Sequence, residues 1–340
     1  MRALQLVSDR NLQIVDLPAP PPPGAAEVQI AVKAVALNHI DVWGWRGMAF
    51  AKRKMPLVVG AEAAGEIVAV GEDVRGLKVG QIVSMYGAMT CGHCKQCLNG
   101  RDNLCENVGG VLGFHIDGFA CERINMPERL VIPAPEGVSA EEAACAGITF
   151  STVEHMLFDN ARLEAGETVL VHAGGSGIGS AAIRLAKDIG ATVITTVGDD
   201  EKAMKAEILG ADHVINYRND RFEHVVRKIT KKVGVDVVFE HVGADTWNGS
   251  LLSMKPGARL VTCGSTSGVS VQMNLMQLFQ RQYKIFGSFG ATIRNVANGL
   301  GKMGRGVKPV IDTIVPLEEF NVGLERLESR RVFGKILVRF

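Results

Sequence analysis

Over the first 150 positions, hydrophobic residues come in short runs broken by Gly and Pro. "RALQLV" (2–7), "EVQIAVKAVAL" (27–37), "GEIVAVG" (65–71) and "LVIPAP" (130–135) read as strands, with the proline-rich "LPAPPPPGAAE" (17–27) between the first two. Short strands between turn signals predict a compact antiparallel, barrel-like unit. From about residue 168 the pattern changes. The apolar, β-branched runs "TVLVHA", "TVITTV", "HVINY", "VDVVFEHVG", "RLVTCG" and "YKIFGSFG" read as strands. Between the first four lie the helical patterns "GSAAIRLAKDIGA", "DDEKAMKAEILGA" and "RFEHVVRKITKK"; "TWNGSLLSMKPG" follows the fourth. Strands alternating with helices predict βαβ units and a parallel sheet. Continuous rather than alternating apolar strands fit a sheet covered on both faces. Past residue 292 a helix-like "VANGLGKMGRG" is followed by short strands, ending in "GKILVRF". No internal repeat is visible.

The chain has 340 residues, 47% of them hydrophobic, which fits two domains with sizeable cores. Lys+Arg 37 nearly cancels Asp+Glu 36, leaving no electrostatic footprint for nucleic acid or an anionic membrane. "MRALQLVSDR" lacks the apolar stretch of a secretory signal, and no apolar run reaches membrane-spanning length. The expectation is a soluble, cytoplasmic protein acting on a small molecule.

Cysteines fall at 91, 94, 97, 105, 121, 145 and 263. An odd number, with four in a C-x2-C-x2-C-x7-C cluster, argues for a metal site in a reducing compartment rather than a disulfide framework. Four thiolates fill a tetrahedral zinc shell and leave no position for water or substrate. Cys91, Cys94, Cys97 and Cys105 are therefore expected to hold one structural zinc in a lobe spanning 91–105.

"VLVHAGGSGIGSAAIRLAKDIGA" places a glycine-rich turn between a strand and a helix. Gly174, Gly175, Ser176, Gly177, Ile178 and Gly179 can wrap a pyrophosphate at the helix N-terminus. With further βαβ units behind it, the turn reads as dinucleotide-binding.

At this point the whole chain resembles the medium-chain dehydrogenase/reductase family of zinc alcohol dehydrogenases and zinc-free quinone oxidoreductases. The resemblance rests on "GAEAAGEIVAVG" (60–71), the cysteine lobe, "VHAGGSGIG", "VINY", "HVGADTW" and "FGKILV". It implies an α/β fold: a GroES-like antiparallel catalytic domain from residues 1–149 and 292–340, with a doubly wound Rossmann domain, 150–291, inserted. It also implies a homodimer or homotetramer, with Rossmann domains pairing through edge strands such as "YKIFGSF".

The four cysteines match the family's structural zinc site. Catalytic zinc in the family takes a Cys, the His of a Gly-His-Glu step, and a later Cys. Here "ALNHID" puts Asn38 at the first place, "VVGAEAAG" puts Ala61 at the second, and Cys145 stands at the third. One thiol cannot hold catalytic zinc. His39, Asp41 and Glu62 could form a different site. "NHID" and "GAEAAG" match the zinc-free branch, so the expected activity is NAD(P)H-dependent hydride transfer to a conjugated carbonyl, quinone or enoyl substrate. Without a Lewis acid, oxidising a plain alcohol is hard, whereas a developing enolate needs only hydrogen-bond donors. The alternatives are a zinc alcohol dehydrogenase with unusual ligands and a non-catalytic nucleotide sensor.

Asn38, Asp41 and His241 are the candidate catalytic residues. Asn38 could orient substrate or ribose, or could simply bond the backbone at a strand end. His241, at a strand end, could donate to substrate or pack beside the nicotinamide. Trp43, Trp45, Met48 and Phe50 could wall an apolar pocket or lie in the core. His115 and His155 read as structural. The resemblance implies further nucleotide contacts from Lys202, Tyr217, His241 and Val242, and from Cys263, Gly264, Ser288 and Lys335. Lys202 and Tyr217 match positions that contact the 2′-phosphate of NADPH, while Asp199 would repel it. The reading favours NADP, with NAD as the alternative.

Overall fold

The computed structural model describes residues 1–48, 53 and 55–340, in two compact units. One unit joins residues 1–151 to 291–340, and the other is 152–290. Phe50 lies outside the described residues.

In the first unit the strands are β1 (Arg2–Ser8), β2 (Asn11–Asp16), β3 (Glu27–Ala36), β4 (Leu57–Val58), β5 (Ala63–Val70), β6 (Ile82–Met85), β7 (Arg123–Pro127) and β8 (Val131–Pro133). A three-stranded sheet runs β2-β1-β4. The helices here are α1 (His39–Trp45), the single turn α2 (Lys95–Leu98) in the cysteine lobe, α3 (Ala140–Ala143) and α4 (Ser151–Glu154), with Thr152–Glu154 already in the second unit. Between α3 and α4, residues 146–150 form a π-helical turn. It approaches β6 so closely that a Cβ on Gly147 would stand 2.7 Å from the Met85 carbonyl oxygen, which only glycine tolerates.

The second unit alternates as its sequence predicts. Its elements are β9 (Thr168–Val171), α5 (Gly177–Asp188), β10 (Thr192–Val197), α6 (Asp200–Leu209), β11 (His213–Asn216), α7 (Phe222–Ile229), β12 (Val235–Glu240), α8 (Ala244–Ser253), β13 (Met254–Thr262), α9 (Leu275–Gln280) and β14 (Lys284–Gly287). The six strands pair parallel in the order β11-β10-β9-β12-β13-β14, the doubly wound arrangement whose strand order reverses between β9 and β12. β9, β10 and β12 are buried almost throughout, which explains their unbroken apolar runs. Leu170, Ile194, Val238 and Leu260 from the sheet meet Phe222, Val226, Trp247 and Leu251 from α7 and α8 in one core.

Back in the first unit follow α10 (Ile293–Gly304), β15 (Ile311–Pro316), α11 (Phe320–Glu328) and β16 (Lys335–Arg339). They complete a seven-stranded sheet, β15-β16-β3-β5-β6-β8, with β7 also paired to β3. α11 corrects the expectation of strands alone in this stretch. Phe320, Gly323, Leu324 and Leu327 are its buried positions, a helical stripe that the polar residues around it obscure. Among the described residues no helix is long and apolar enough to cross a membrane.

Candidate active site and metal lobe

The cysteine lobe is built from one contiguous segment. The ligand atoms of Cys91, Cys94, Cys97 and Cys105 all lie within 4.8 Å of one another. The Cys91–Cys97 and Cys94–Cys105 Sγ separations are 3.9 and 4.0 Å. Zinc–sulfur bonds of about 2.3 Å in a tetrahedron put sulfurs about 3.8 Å apart, so the donor set fits zinc. Backbone N–H groups favour the first ionisations: those of His93 and Cys94 lower the Cys91 thiol to about 6. Burial pushes Cys97 the other way, up to about 12. Four thiols cannot all ionise side by side unless a cation joins them, and a divalent metal resolves that conflict. Among the described residues, no other group brings three or more His, Cys, Asp or Glu ligand atoms together in this way.

The pocket around Asn38 is assembled from four separate segments. Glu62, fully buried, is its centre. The π-helical turn frees two backbone donors for it, and Ile148 and Thr149 N–H both reach Glu62 Oε1 at 2.7 Å. Glu62 Oε2 accepts from Thr149 Oγ1 (2.9 Å), Asn38 Nδ2 (2.9 Å) and Lys335 Nζ (3.0 Å). Lys335 also donates to the Leu37 carbonyl at 2.7 Å and Asn38 Oδ1 at 2.8 Å. An ammonium has three protons, so all are spent on protein acceptors. Asn38 Nδ2 also donates to the Ala36 carbonyl at 2.9 Å, so the amide is engaged at both ends. The Asn38 amide is thus bonded to a backbone carbonyl and to the Glu62–Lys335 ion pair.

Asp41 lies beside this cluster. Its Oδ2 accepts the Asn38 N–H at 2.8 Å, closing the start of α1, and its Oδ1 accepts the Ala61 N–H at 3.1 Å. Burial, against those two hydrogen bonds and Lys335, raises its carboxyl to about 7. Cys145 is buried and its thiol faces the Glu141 carbonyl at 3.6 Å; burial raises its pKa strongly. Trp45 is core, with the Arg10 guanidinium 4.4 Å from its ring centroid. Met48 is exposed, and His115 accepts the Val111 N–H.

In the second unit the glycine turn has the geometry its sequence implies. A Cβ on Gly179 would stand 2.2 Å from the Ala173 carbonyl oxygen, and one on Gly174 would stand 2.3 Å from Thr195 Oγ1. Ser176 caps α5 by accepting the Gly179 N–H at 3.0 Å. The turn leads Gly177 and Ile178 into the helix, so unpaired N–H groups and the positive end of its dipole face the place for a pyrophosphate.

A buried relay underlies this turn. Ser250 Oγ donates to Glu240 Oε2 at 2.8 Å and therefore accepts from His172 Nε2, also at 2.8 Å. Thr196 Oγ1 accepts the Ala173 N–H and lies 3.2 Å from His172 Nδ1. Burial lowers His172 to about 4, so the ring is neutral. Glu240 Oε1 accepts the Val242 and Gly243 N–H groups at 2.7 and 3.1 Å. His241 is buried, and its Nε2 lies 2.8 Å from the His172 carbonyl oxygen, so Nε2 is the donor. Burial lowers its pKa as well. A neutral ring has one N–H, and here it is spent on the backbone. In this arrangement the neutral ring has no second N–H beyond the one bonded to the His172 carbonyl.

The remaining nucleotide candidates lie at or beyond strand ends. Cys263 donates its N–H to the Glu240 carbonyl at 3.3 Å, and a Cβ on Gly264 would stand 2.9 Å from the His241 carbonyl oxygen. Ser288, just past β14, lies 2.9 Å from His155 Nδ1. At the end of β10, Asp199 caps α6 by accepting the Lys202 N–H at 2.8 Å, with the Lys202 ammonium 3.7 Å from its other oxygen. Tyr217 is 45% exposed, and its hydroxyl would be 2.6 Å from a Cβ on Gly198. Asn38, Asp41 and Lys335 thus belong to one unit, and the glycine turn, His241, Lys202, Tyr217 and Ser288 to the other. Sequence reasoning missed the Glu62–Lys335 ion pair and the relay of His172, Ser250 and Glu240. Their partners come from distant segments, and the only local signal was a charged residue within an apolar stretch.

Comparison with known proteins agrees with this anatomy. The family described as "Alcohol dehydrogenase GroES-like domain" matches residues 24–136, and that described as "Zinc-binding dehydrogenase" matches residues 177–303. An acryloyl-coenzyme A reductase from Metallosphaera sedula is 32% identical over 94% of this chain and 93% of its own. An alcohol dehydrogenase from Geobacillus stearothermophilus is 30% identical over 92% of each chain. A crystal structure of an NAD-dependent alcohol dehydrogenase superposes with a TM-score of 0.94 at 38% identity, covering 100% of both chains. The chain therefore belongs to the medium-chain, zinc-type alcohol dehydrogenase/reductase family, and it is an NAD(P)-dependent oxidoreductase.

Proposed function

We propose that this enzyme uses reduced nicotinamide to reduce a conjugated C=C bond or a quinone without catalytic zinc, and that enoyl thioesters are among its substrates. The observation that carries the reading is the make-up of the Asn38 pocket. Asn38 and Ala61 stand where the family's zinc-dependent members have ligands, and the Asn38 amide is tied to Glu62 and Lys335. An amide, a methyl group and one thiol are a poor donor set for an open zinc site. The likeness to an acryloyl-coenzyme A reductase supports the enoyl class. Reduced nicotinamide, held at the glycine turn of residues 174–179, would supply the hydride for such an acceptor, with the balancing proton taken from water. One zinc, held by the four cysteines, shapes the lobe and takes no part in the chemistry.

For the nucleotide we favour NADPH. Asp199 directs its carboxylate at its own helix and at Lys202, the Lys202 side chain is 23% exposed, and Tyr217 is exposed too. We also propose a homodimer joined at β14, an edge strand with exposed Phe279 and Phe289 nearby in sequence. Sedimentation at micromolar concentration tests this, and a monomer would refute it.

The deciding experiment measures kcat and KM with NADPH and NADH against acryloyl-coenzyme A, a short enone, a quinone and ethanol. The proposal expects turnover of at least one conjugated acceptor and negligible ethanol oxidation. Ethanol turnover rivalling the best acceptor would favour an alcohol dehydrogenase with unusual ligands.

A further inference from the structure

The cysteine lobe carries a carboxylate outside its set of four thiols. Asp102 lies in the turn Asp102–Leu104, between Cys97 and Cys105, and is only 7% exposed. Its Oδ2 accepts the N–H of Ile293 at 2.9 Å. Ile293 is the first residue of α10, and its N–H is one of those a helix start leaves unpaired. The helix's own cap, Thr292 Oγ1, accepts from Asn295 instead. The lobe thus supplies both the missing acceptor and a negative charge at the positive end of the helix. Two residues upstream, the Tyr86 hydroxyl donates to the Ala291 carbonyl at 2.5 Å. The start of α10 is held from the lobe and from the end of β6 together.

Six residues on, about 9 Å along the axis, α10 rests on the π-helical turn. A Cβ on Gly299 would stand 3.0 Å from Phe150 Cβ, so helix and turn are in close contact. This is the turn whose Ile148 and Thr149 N–H groups hold Glu62. A continuous packed path therefore runs from Asp102 through Ile293, Gly299 and Phe150 to Ile148, Thr149 and Glu62, all within one unit. We propose that Asp102 is a positioning residue through which the metal lobe, acting on α10, sets the geometry of the Glu62 pocket. The inference rests on the four cysteines holding a metal, and it does not depend on which substrate the enzyme reduces.

The test uses the full chain with its zinc and reads amide exchange at 146–150 and 292–296, together with zinc content. Asp102→Ala should keep its zinc yet speed exchange about tenfold at Ile293 and also at Ile148 and Thr149. Asp102→Asn, which keeps an acceptor oxygen, should restore most of the protection at both places. Faster exchange at 292–296 with Ile148 and Thr149 unchanged would reduce Asp102 to a tether and overturn the proposal. So would loss of zinc from Asp102→Ala, because the carboxylate would then belong to the metal site itself. Two further arms hold if that variant fails to fold. Stripping zinc from the wild-type protein with a chelator, and Gly299→Ala with the lobe intact, should each speed exchange at Ile148 and Thr149. Unchanged exchange there in either arm would overturn the proposal.

Discussion

The four-cysteine lobe and the Asn38–Glu62–Lys335 pocket are both closed polar sites in the same unit, but they are built in opposite ways. The lobe draws its four ligands from fifteen consecutive residues, 91–105. The pocket draws its members from positions 38, 62, 148–149 and 335. In the lobe, four adjacent thiolates would need a cation to reconcile them. In the pocket the chain supplies its own cation, Lys335, and every polar atom of Glu62 finds a donor. A site that needs a metal can be local, because the ion does the organising. A site that replaces the ion with side chains needs the whole fold to hold them.

The largest expected effect separates the two at once. Cys97→Ser should take the protein from about one zinc per chain to none and unfold the lobe, as followed by metal analysis and near-UV circular dichroism. Retention of a full zinc equivalent would show that the metal is held elsewhere. Next comes the ion pair. Glu62→Ala leaves the Lys335 ammonium buried without its partner and should cost about 3–5 kcal/mol in denaturant unfolding. Glu62→Gln combined with Lys335→Met should recover much of that loss. A Glu62→Ala protein as stable as wild type would mean that the pocket opens to water at little cost.

A subtler effect concerns Asp41. Its carboxyl is raised to about 7 in the folded chain, against an ordinary value of 3.8. Between those values the folded state holds a proton that the unfolded state releases. This group's contribution is therefore complete in acid and is lost as pH rises from about 4 to about 7. Asp41→Asn, permanently neutral, should flatten that slope in a series of thermal melts; an unaltered slope would place the titration elsewhere. The smallest effects are in the nucleotide unit. His241→Ala should change kcat by less than about tenfold, because its N–H is committed to the His172 carbonyl. A loss of 100-fold or more, with KM unchanged, would restore a donor role. Lys202→Ala should raise KM for NADPH about tenfold and leave NADH almost unaffected.

Local pattern was enough for the alternating strands and helices of the second unit, for the glycine turn and for the metal lobe. Each is specified by residues close in the chain: an apolar run, a helical stripe, a tight turn, a thiol spacing. α11 escaped because its buried stripe sits among charges, and only packing reveals which face is covered. The identity of residue 38 was legible, but its hydrogen-bond partners were not. Whether an amide faces substrate or Glu62 depends on where residues 62 and 335 arrive. His241 is the same case, since its single N–H meets a carbonyl 69 residues away. The sequence by itself thus determined the fold class, the glycine turn and the cluster of four thiols, because those depend on short-range spacing. Only the tertiary structure decided that Lys335 neutralises Glu62, that Asp41 closes a helix and that Asp102 reaches α10. Hydrogen bonds and ion pairs require contact within about 3 Å, and between distant segments the folded chain alone sets that distance.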